Sequence, residues 1–550
     1  MFQSSLYYSQ GDLLHDSMIP MSSPLLSELG NAFRHESGVS RRLFLAHAGA
    51  IAAVPWLGSS ARAENPVSFD KEPFSMGVAS GDPDHRGMVL WTRLAPEPLA
   101  PNGGMPAVTV EVTYEVAEDE AFQKVVDRGT ALATPQLGHS VHVEIHSLKP
   151  DRWYHYRFSA GGVRSPVGRT RTMPAPMDMP GQFRFAVTTC QNYEQGLFTG
   201  YEQMLRDQVD LVFHLGDYIY EYKSGQNGTI RTHLGQEIGT LEEYRIRHAQ
   251  YRSDPLLQQM HAACPWFVTW DDHEFDNNYA NHVSEEQGID PVYFMWRRAN
   301  AYQAYYEMMP LRRKCMPSGP DLQLYRKASF GRLAEFLILD ARQYRSDQPN
   351  QDKRSPLNAE ALEPRNTLLG HKQKHWLMQS LLGSGAVWNI LAQQVMMGLV
   401  DRSTSEEASY SMDQWPGYAA ERAALLQFIK ERRISNPVVL TGDIHSNWAN
   451  ELRVDDTQPE LERVATEFVC TSLSSGGNGT QKASDHDALM AKNPCIRFHN
   501  RERGYILCTA TPSGLRSDYQ VVEDVEKPGG KILTRASFVV PSGQAIIQPA

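Results

Sequence analysis

The chain has 550 residues, of which 41% are hydrophobic and 21% charged, and a formal net charge of −11. That composition excludes a disordered chain, and six cysteines are far too few for a disulfide scaffold. The acidic balance argues against a general nucleic-acid binder, and there is no apolar run of about 18 residues to cross a membrane as a helix.

Residues 1–63 are predicted to be a leader and export signal. Arg41-Arg42-Leu43-Phe44-Leu45 precedes a short apolar stretch at 48–57, and Ala61-Arg62-Ala63 supplies the small residues of a cleavage site. The paired arginines followed by Leu and Phe resemble the bacterial twin-arginine signal. That resemblance implies passage through the twin-arginine translocase and a periplasmic or secreted destination.

Residues 70–172 carry β signals. Residues 108–116, 141–146 and 153–158 alternate apolar and polar side chains with a period of two. Short strands between Gly/Pro turns over about 100 residues predict an immunoglobulin- or fibronectin-like β-sandwich. His139, His142 and His146 lack a zinc-site spacing and read as surface strand residues. A Pro-rich linker at 173–181 follows.

Residues 182–525 change texture. Apolar strands alternate with helical stretches, which predicts a layered α/β domain. The strands end repeatedly in polar residues: Cys190, Asp217 with Tyr220, Asp272 with His273, Gln393 with Gln394, and Asp443 with His445. In α/β sheets the loops after strand ends converge to form sites. Residues 526–550 are expected to be a C-terminal tail. The fold class is therefore α/β, with a small β-sandwich ahead of a layered catalytic domain.

The strand-end motifs point to metal chemistry. Gly216-Asp217-Tyr218-Ile219-Tyr220 resembles the metal block of the purple acid phosphatases and other metallophosphoesterases. Trp270-Asp271-Asp272-His273-Glu274 stands where that superfamily has Gly-Asn-His-Glu, and Thr441-Gly442-Asp443-Ile444-His445 where it has Gly-His-x-His. The first block, Asp-x-His, is replaced by Thr188-Thr189-Cys190-Gln191-Asn192-Tyr193. These departures, together with Ser80-Gly81-Asp82-Pro83, Leu90-Trp91-Thr92-Arg93-Leu94 and Trp415-Pro416-Gly417-Tyr418, resemble the PhoD-like alkaline phosphatases over residues 74–522.

The resemblance implies a metallophosphoesterase fold and ferric iron (Fe3+) with calcium (Ca2+). One metal would take Cys190, Asp217, Tyr220 and His445. Thiolate and phenolate donors suit a transition metal. The other metal would share Asp217 and add Asp272 and Asp443, oxygen donors that suit a hard cation. A further calcium is implied, with Asn277 or Asp276 as candidate ligands. Metal-activated hydroxide or oxide would attack phosphorus in line. His273 is the candidate catalytic group, with Arg345 beside it, and Arg342 is the candidate substrate-binding cation.

Taken singly, each residue has a plainer reading: Cys190 as a small buried hydrophobe, Tyr220 as a packing ring, Arg345 in a surface ion pair, Gln394 as a core hydrogen bonder. Three functions compete. They are an exported alkaline phosphatase on phosphate monoesters, a phosphodiesterase or phospholipase on the same scaffold, and a non-catalytic surface binding protein. The absence of G-x-S-x-G and G-x-x-x-x-G-K-[ST] argues against serine-hydrolase and P-loop chemistry.

Overall fold

The computed structural model describes residues 68–550, so the signal expected at 1–63 lies outside the described residues. The first β region is a two-layer sandwich. One layer pairs Val78–Gly81, Val89–Arg93 and Ser140–Glu144. The other pairs Val125–Ala133, Val110–Ala117, Trp153–Ala160 and Gly168–Arg171. Every second residue of Trp153–Ala160 is buried, as the alternation requires. Tyr154, Tyr156 and Phe158 pack with Val112 and Val116 against Val78, Leu90, Val141 and Val143.

This sandwich is not insulated from the rest of the chain. Gly81 pairs in parallel with Trp266, so one of its layers joins the catalytic sheet. A Cβ on Gly81 would lie 2.6 Å from the Pro310 carbonyl oxygen, which explains the glycine in Ser80-Gly81-Asp82. The expected surface histidines divide. His139 is buried with Nε2 2.9 Å from the Val108 carbonyl. His142 stacks on Tyr306 at 4.5 Å. His146 alone is exposed. The strand alternation could not show that the outer face of Ser140–Glu144 is covered by the helix Pro291–Met308.

The catalytic region is built as helices, sheet, sheet, helices. In the first sheet Trp266–Val268, Leu211–His214 and Phe183–Thr188 run parallel, and Ile496–Ala510 runs antiparallel beside the last. In the second, Ala334–Ile338, Trp388–Ala392, Pro437–Thr441 and Ala465–Val469 run parallel. Asn447–Leu452 pairs antiparallel with Ala465–Val469 and with the start of Ile496–Ala510, so that long strand links the two sheets.

Both faces of these strands are covered, which is why they read as predominantly apolar runs. Phe213 and Leu211 face the inter-sheet core with Phe336, Ile390 and Val438. Val212 points the other way, into the layer formed with Leu241–Arg252, Pro255–Ala263 and Pro291–Met308. Leu337, Leu391 and Val439 likewise face Gly370–Gly383 and Ala419–Glu431. The helices start on strong signals. Thr240 and Glu243 form a capping box, and Asp254 and Asp290 each cap a helix that begins with proline.

The expected C-terminal tail is corrected. Ile532–Pro541 pairs along its length with Gly514–Val522, and Phe538, Val540 and Ile547 enter the inter-sheet core. Near its end Phe538 and Val540 turn inward on either side of Val539, and the adjacent strand offers an open edge to satisfy its backbone.

Candidate metal centre

Parallel strands bring their C-terminal ends to one edge, and the loops that leave them carry the candidate ligands. Cys190 follows Phe183–Thr188, Asp217 follows Leu211–His214, Asp272 follows Trp266–Val268, and Asp443 follows Pro437–Thr441. Four of the candidate ligands sit in left-handed backbone: Cys190 at φ 53°, Asp217 at 54°, Asp443 at 68° and His445 at 51°. This conformation is uncommon for side-chain-bearing residues and persists where surrounding contacts enforce it. Here the Cys190 N–H donates to the Gly216 carbonyl at 3.0 Å and the Gln191 N–H to the Asp217 carbonyl at 3.1 Å. Ser475 Oγ donates to the Cys190 carbonyl at 2.7 Å.

Two glycines allow the loops to close. At Gly216, with φ 111°, a Cβ would lie 2.4 Å from Asp271 Cβ. At Gly442 it would lie 2.6 Å from Thr189 Oγ1. Glu274 completes the frame by accepting from the Asp217 N–H at 3.1 Å and the Asp271 N–H at 2.9 Å.

The side chains converge in overlapping groups. Ligand atoms of Cys190, Asp217 and His445 lie within 4.8 Å of one another, as do those of Asp217, Asp272 and His273, and those of Asp271, Asp272 and Asp443. Tyr220 joins the first group: its hydroxyl donates to Asp217 Oδ2 at 2.8 Å and lies 3.3 Å from His445 Nε2 and 2.7 Å from Ser475 Oγ. Asp217 belongs to both of the first two groups, and its Oδ1 is buried with no hydrogen-bond partner. A buried carboxylate oxygen without a partner is costly unless a cation meets it.

Electrostatics point the same way. Burial, then the neighbouring Asp217, pushes the Cys190 thiol and the Tyr220 phenol far above their usual ranges. Burial raises Asp217 strongly and Asp443 to about 6, despite the opposing pull of His273 on the first and Arg342 on the second. Burial also keeps His445 neutral, down at about 3, which is the form that ligates metals. A thiol, a phenol and carboxyls held this way ionise when a multivalent cation sits among them. The donor set therefore fits a metal pair: sulfur, phenolic oxygen and imidazole on one side, carboxylate oxygens on the other.

The arginines are placed otherwise than expected. Arg342 is fully buried and ion-paired to Asp271, to Asp413 at 2.8 Å and to Asp443 at 3.0 Å, with Asp272 at 3.7 Å. Arg345 is also buried, 2.8 Å from Asp413, and donates to the carbonyls of Tyr279 and Asn278. Neither guanidinium is free to clamp a phosphate. They hold the acidic loops together, because a cluster this acidic needs buried cations.

His273 Nδ1 is 2.9 Å from Glu221 Oε2, and Asp272 Oδ1 accepts from its backbone N–H at 3.0 Å. Burial would lower the imidazole, but Glu221 with Asp272 and Asp217 outweighs it and raises it well above its usual range. Asp276 is committed to Arg297 at 2.9 Å, and Asn277 lies against Glu285. Gln394 donates to the Trp270 and Leu339 carbonyls and accepts from the Ala341 N–H, so it ties strand ends together.

Sequence reasoning passed over Asp271, Glu274, Asp413, Glu221 and Ser475. Asp271 and Glu274 stood inside the Asp-Asp-His-Glu run, Glu221 directly after Tyr220, and Asp413 two residues before Trp415. Ser475, in the Gly/Ser loop, carried no signal beyond composition.

Comparisons with known proteins agree with this geometry. Residues 185–519 match the sequence profile described as PhoD-like phosphatase, and residues 59–174 match its N-terminal domain. Alkaline phosphatase D of Bacillus subtilis (strain 168) is 51% identical over 481 residues, covering 87% of this chain and 82% of the relative. The solved structure titled "Structure of PhoD" superposes with a TM-score of 0.86 at 50% identity, covering 88% of this chain and 93% of the other. The chain belongs to the PhoD-like phosphatase family.

Proposed function

We propose that this chain is an exported alkaline phosphatase whose centre takes ferric iron and calcium. That it is a phosphoric ester hydrolase follows from its family; the metals, the residue roles and the export are our reading. The observation that carries it is the convergence of Cys190, Asp217, Tyr220 and His445 around an Asp217 oxygen with no partner. When bound, the metal pair would supply a nucleophile derived from water and neutralise charge on the phosphate.

The chain's own residues divide the remaining work. Cys190, Tyr220 and His445 would hold the iron, Asp272 and Asp443 the calcium, and Asp217 both. Arg342 fixes Asp443 by an ion pair and keeps Asp272 within reach, so the carboxylates stay close despite their repulsion. His273, oriented through Nδ1 by Glu221, would present its other ring nitrogen to the leaving-group oxygen and hold the proton delivered there. A complete donor set speaks against the non-catalytic alternative.

Export rests on Arg41-Arg42 and Ala61-Arg62-Ala63, ahead of the described residues. The twin-arginine translocase would be a transient partner, and a phosphate ester the substrate. No helix among the described residues is long and apolar enough to cross a membrane.

The test is elemental analysis of the purified protein beside assays on p-nitrophenyl phosphate and bis(p-nitrophenyl) phosphate at alkaline pH. Iron and calcium bound together, with hydrolysis abolished by chelation, is the expected result. Full activity in protein stripped of iron would refute the iron assignment.

A further inference from the structure

Beside the metal centre, on the His445 side, lies a set of cations that the proposed phosphatase chemistry does not use. The loop 401–410 folds back on itself, with the Arg402 N–H donating to the Ser409 carbonyl at 2.9 Å. Tyr410 in turn forms an isolated antiparallel bridge with Ser355. These backbone contacts bring together the two segments that carry Arg354 and Arg402. A few residues on, the same loop reaches the centre: Asp413 holds Arg342 and Arg345, and Gln414 Nε2 is 3.2 Å from Asp443 Oδ2.

Arg402 is seated on a ring stack. Its guanidinium lies 5.7 Å from the Trp448 ring centroid, and Trp448 packs on His499 at 4.1 Å. His499 is stacked in turn on His486. Trp448 Nε1 donates to Ser446 Oγ at 2.8 Å, one residue from His445, which places the stack at the rim of the centre. Among the described residues no carboxylate lies within 4.0 Å of the Arg402 or Arg354 guanidinium, whereas Arg501 has Asp485 at 3.4 Å. Burial first, then Arg354 and Arg501, depresses Arg402 to about 10, against a weaker opposing pull from Asp485 and Asp443.

Such an arrangement is costly to the free protein. Arg342, Arg326 and Arg422 elsewhere in the chain are buried and each is matched to acids, whereas Arg402 is half-buried and has no such match. A partly buried arginine facing other arginines is matched only when an anion enters. Its separation from the metal ligands by a single ring stack makes that anion a second charged group on a molecule already bound at the centre.

We propose that Arg402, with Arg354 and Arg501, forms a subsite for an additional anionic group on the substrate, a second phosphate borne by the leaving group. The enzyme then prefers phosphate esters with two phosphoryl groups over matched esters with one. This rests on the phosphatase reading.

The test uses the metal-loaded enzyme and the matched pair glucose 1,6-bisphosphate and glucose 6-phosphate, with phosphate release as the readout. The parent enzyme is expected to favour the bisphosphate in kcat/KM by at least about tenfold, the contribution of one charge-assisted contact. In Arg402→Gln that ratio falls by about tenfold, and Arg402→Lys regains part of it. Arg354→Gln, at an exposed position, reduces the ratio by a smaller factor. Equal kcat/KM values for the two esters in the parent, or a ratio unmoved by both glutamine variants, overturns the subsite. Hydrolysis of neither ester by metal-loaded protein overturns the phosphatase reading and the subsite together.

Discussion

The Tyr220 hydroxyl donates to Asp217 Oδ2 at 2.8 Å, three residues back along the same loop. The left-handed turn at Asp217 makes this possible, because it swings the following residues back over the strand end. One loop thus delivers two oxygens to one point, with Cys190 and His445 supplied by two other strand ends.

Tyr220→Phe removes the phenolic oxygen and leaves the ring packing intact. The loaded variant is expected to lose the visible charge-transfer band of a phenolate on iron and about 100-fold or more in kcat/KM, at the upper end of what perturbing a metal's surroundings costs. Absorption spectra with metal content measured in parallel check this, and an undiminished band would show that the tyrosine is not a ligand.

Cys190→Ser keeps a small polar side chain but exchanges soft sulfur for hard oxygen. Iron content after dialysis is expected to fall at least tenfold, with calcium less affected, since Cys190 is grouped with Asp217 and His445 and not with Asp272 and Asp443. Equal loss of both metals would argue for general damage.

Arg342→Met strands Asp271, Asp413 and Asp443 in a buried site without their shared cation. Breaking a buried ion pair by removing one partner costs about 3–5 kcal/mol. Urea unfolding of the loaded variant should show that loss, and a change under about 1 kcal/mol would mean the arginine contributes little to the frame.

Gly216→Ala places a methyl group 2.4 Å from Asp271 Cβ at a φ of 111°. Neither loop can move without shifting Asp217 or Asp272. The variant is expected to lose metal binding before it loses its secondary structure, so circular dichroism stays near the parent while iron and calcium titrations fail.

On the helix Leu241–Arg252, His248 is buried with both ring nitrogens unpartnered. Burial, then Arg252 and Arg93, holds its imidazole down at about 3. The unfolded chain binds the proton near pH 6.5, so the stability that neutral His248 contributes is complete above that value. It is lost as pH falls toward 3, by about 1.4 kcal/mol per pH unit. His248→Phe should flatten the fall in unfolding free energy between pH 6.5 and 4.5, and a parallel curve would refute the assignment.

The layered architecture was legible in the chain because strands covered on both faces are mostly apolar, as those at 211–214, 334–338 and 437–441 are. The candidate ligands were legible for the same reason: an apolar run that stops at Asp, Cys or His marks the strand end where loops gather. The strand at 532–541 was hidden because its apolar residues show no regular alternation along the chain.

What the chain by itself determined is which donors are present and in what order: Cys190, Asp217, Tyr220, Asp272, Asp443 and His445. Only the tertiary structure decided how charge is distributed among them. Arg342 and Arg345 follow a strand end and read as phosphate clamps, but the fold closes Asp271 and Asp413 over them. Arg402, in a loop that no motif marks, is left over the Trp448 ring with no carboxylate in ion-pair range among the described residues. Spacing along a chain reports which groups share a strand or a turn. Whether an arginine is matched depends on carboxylates from distant segments, and burial makes that matching decisive.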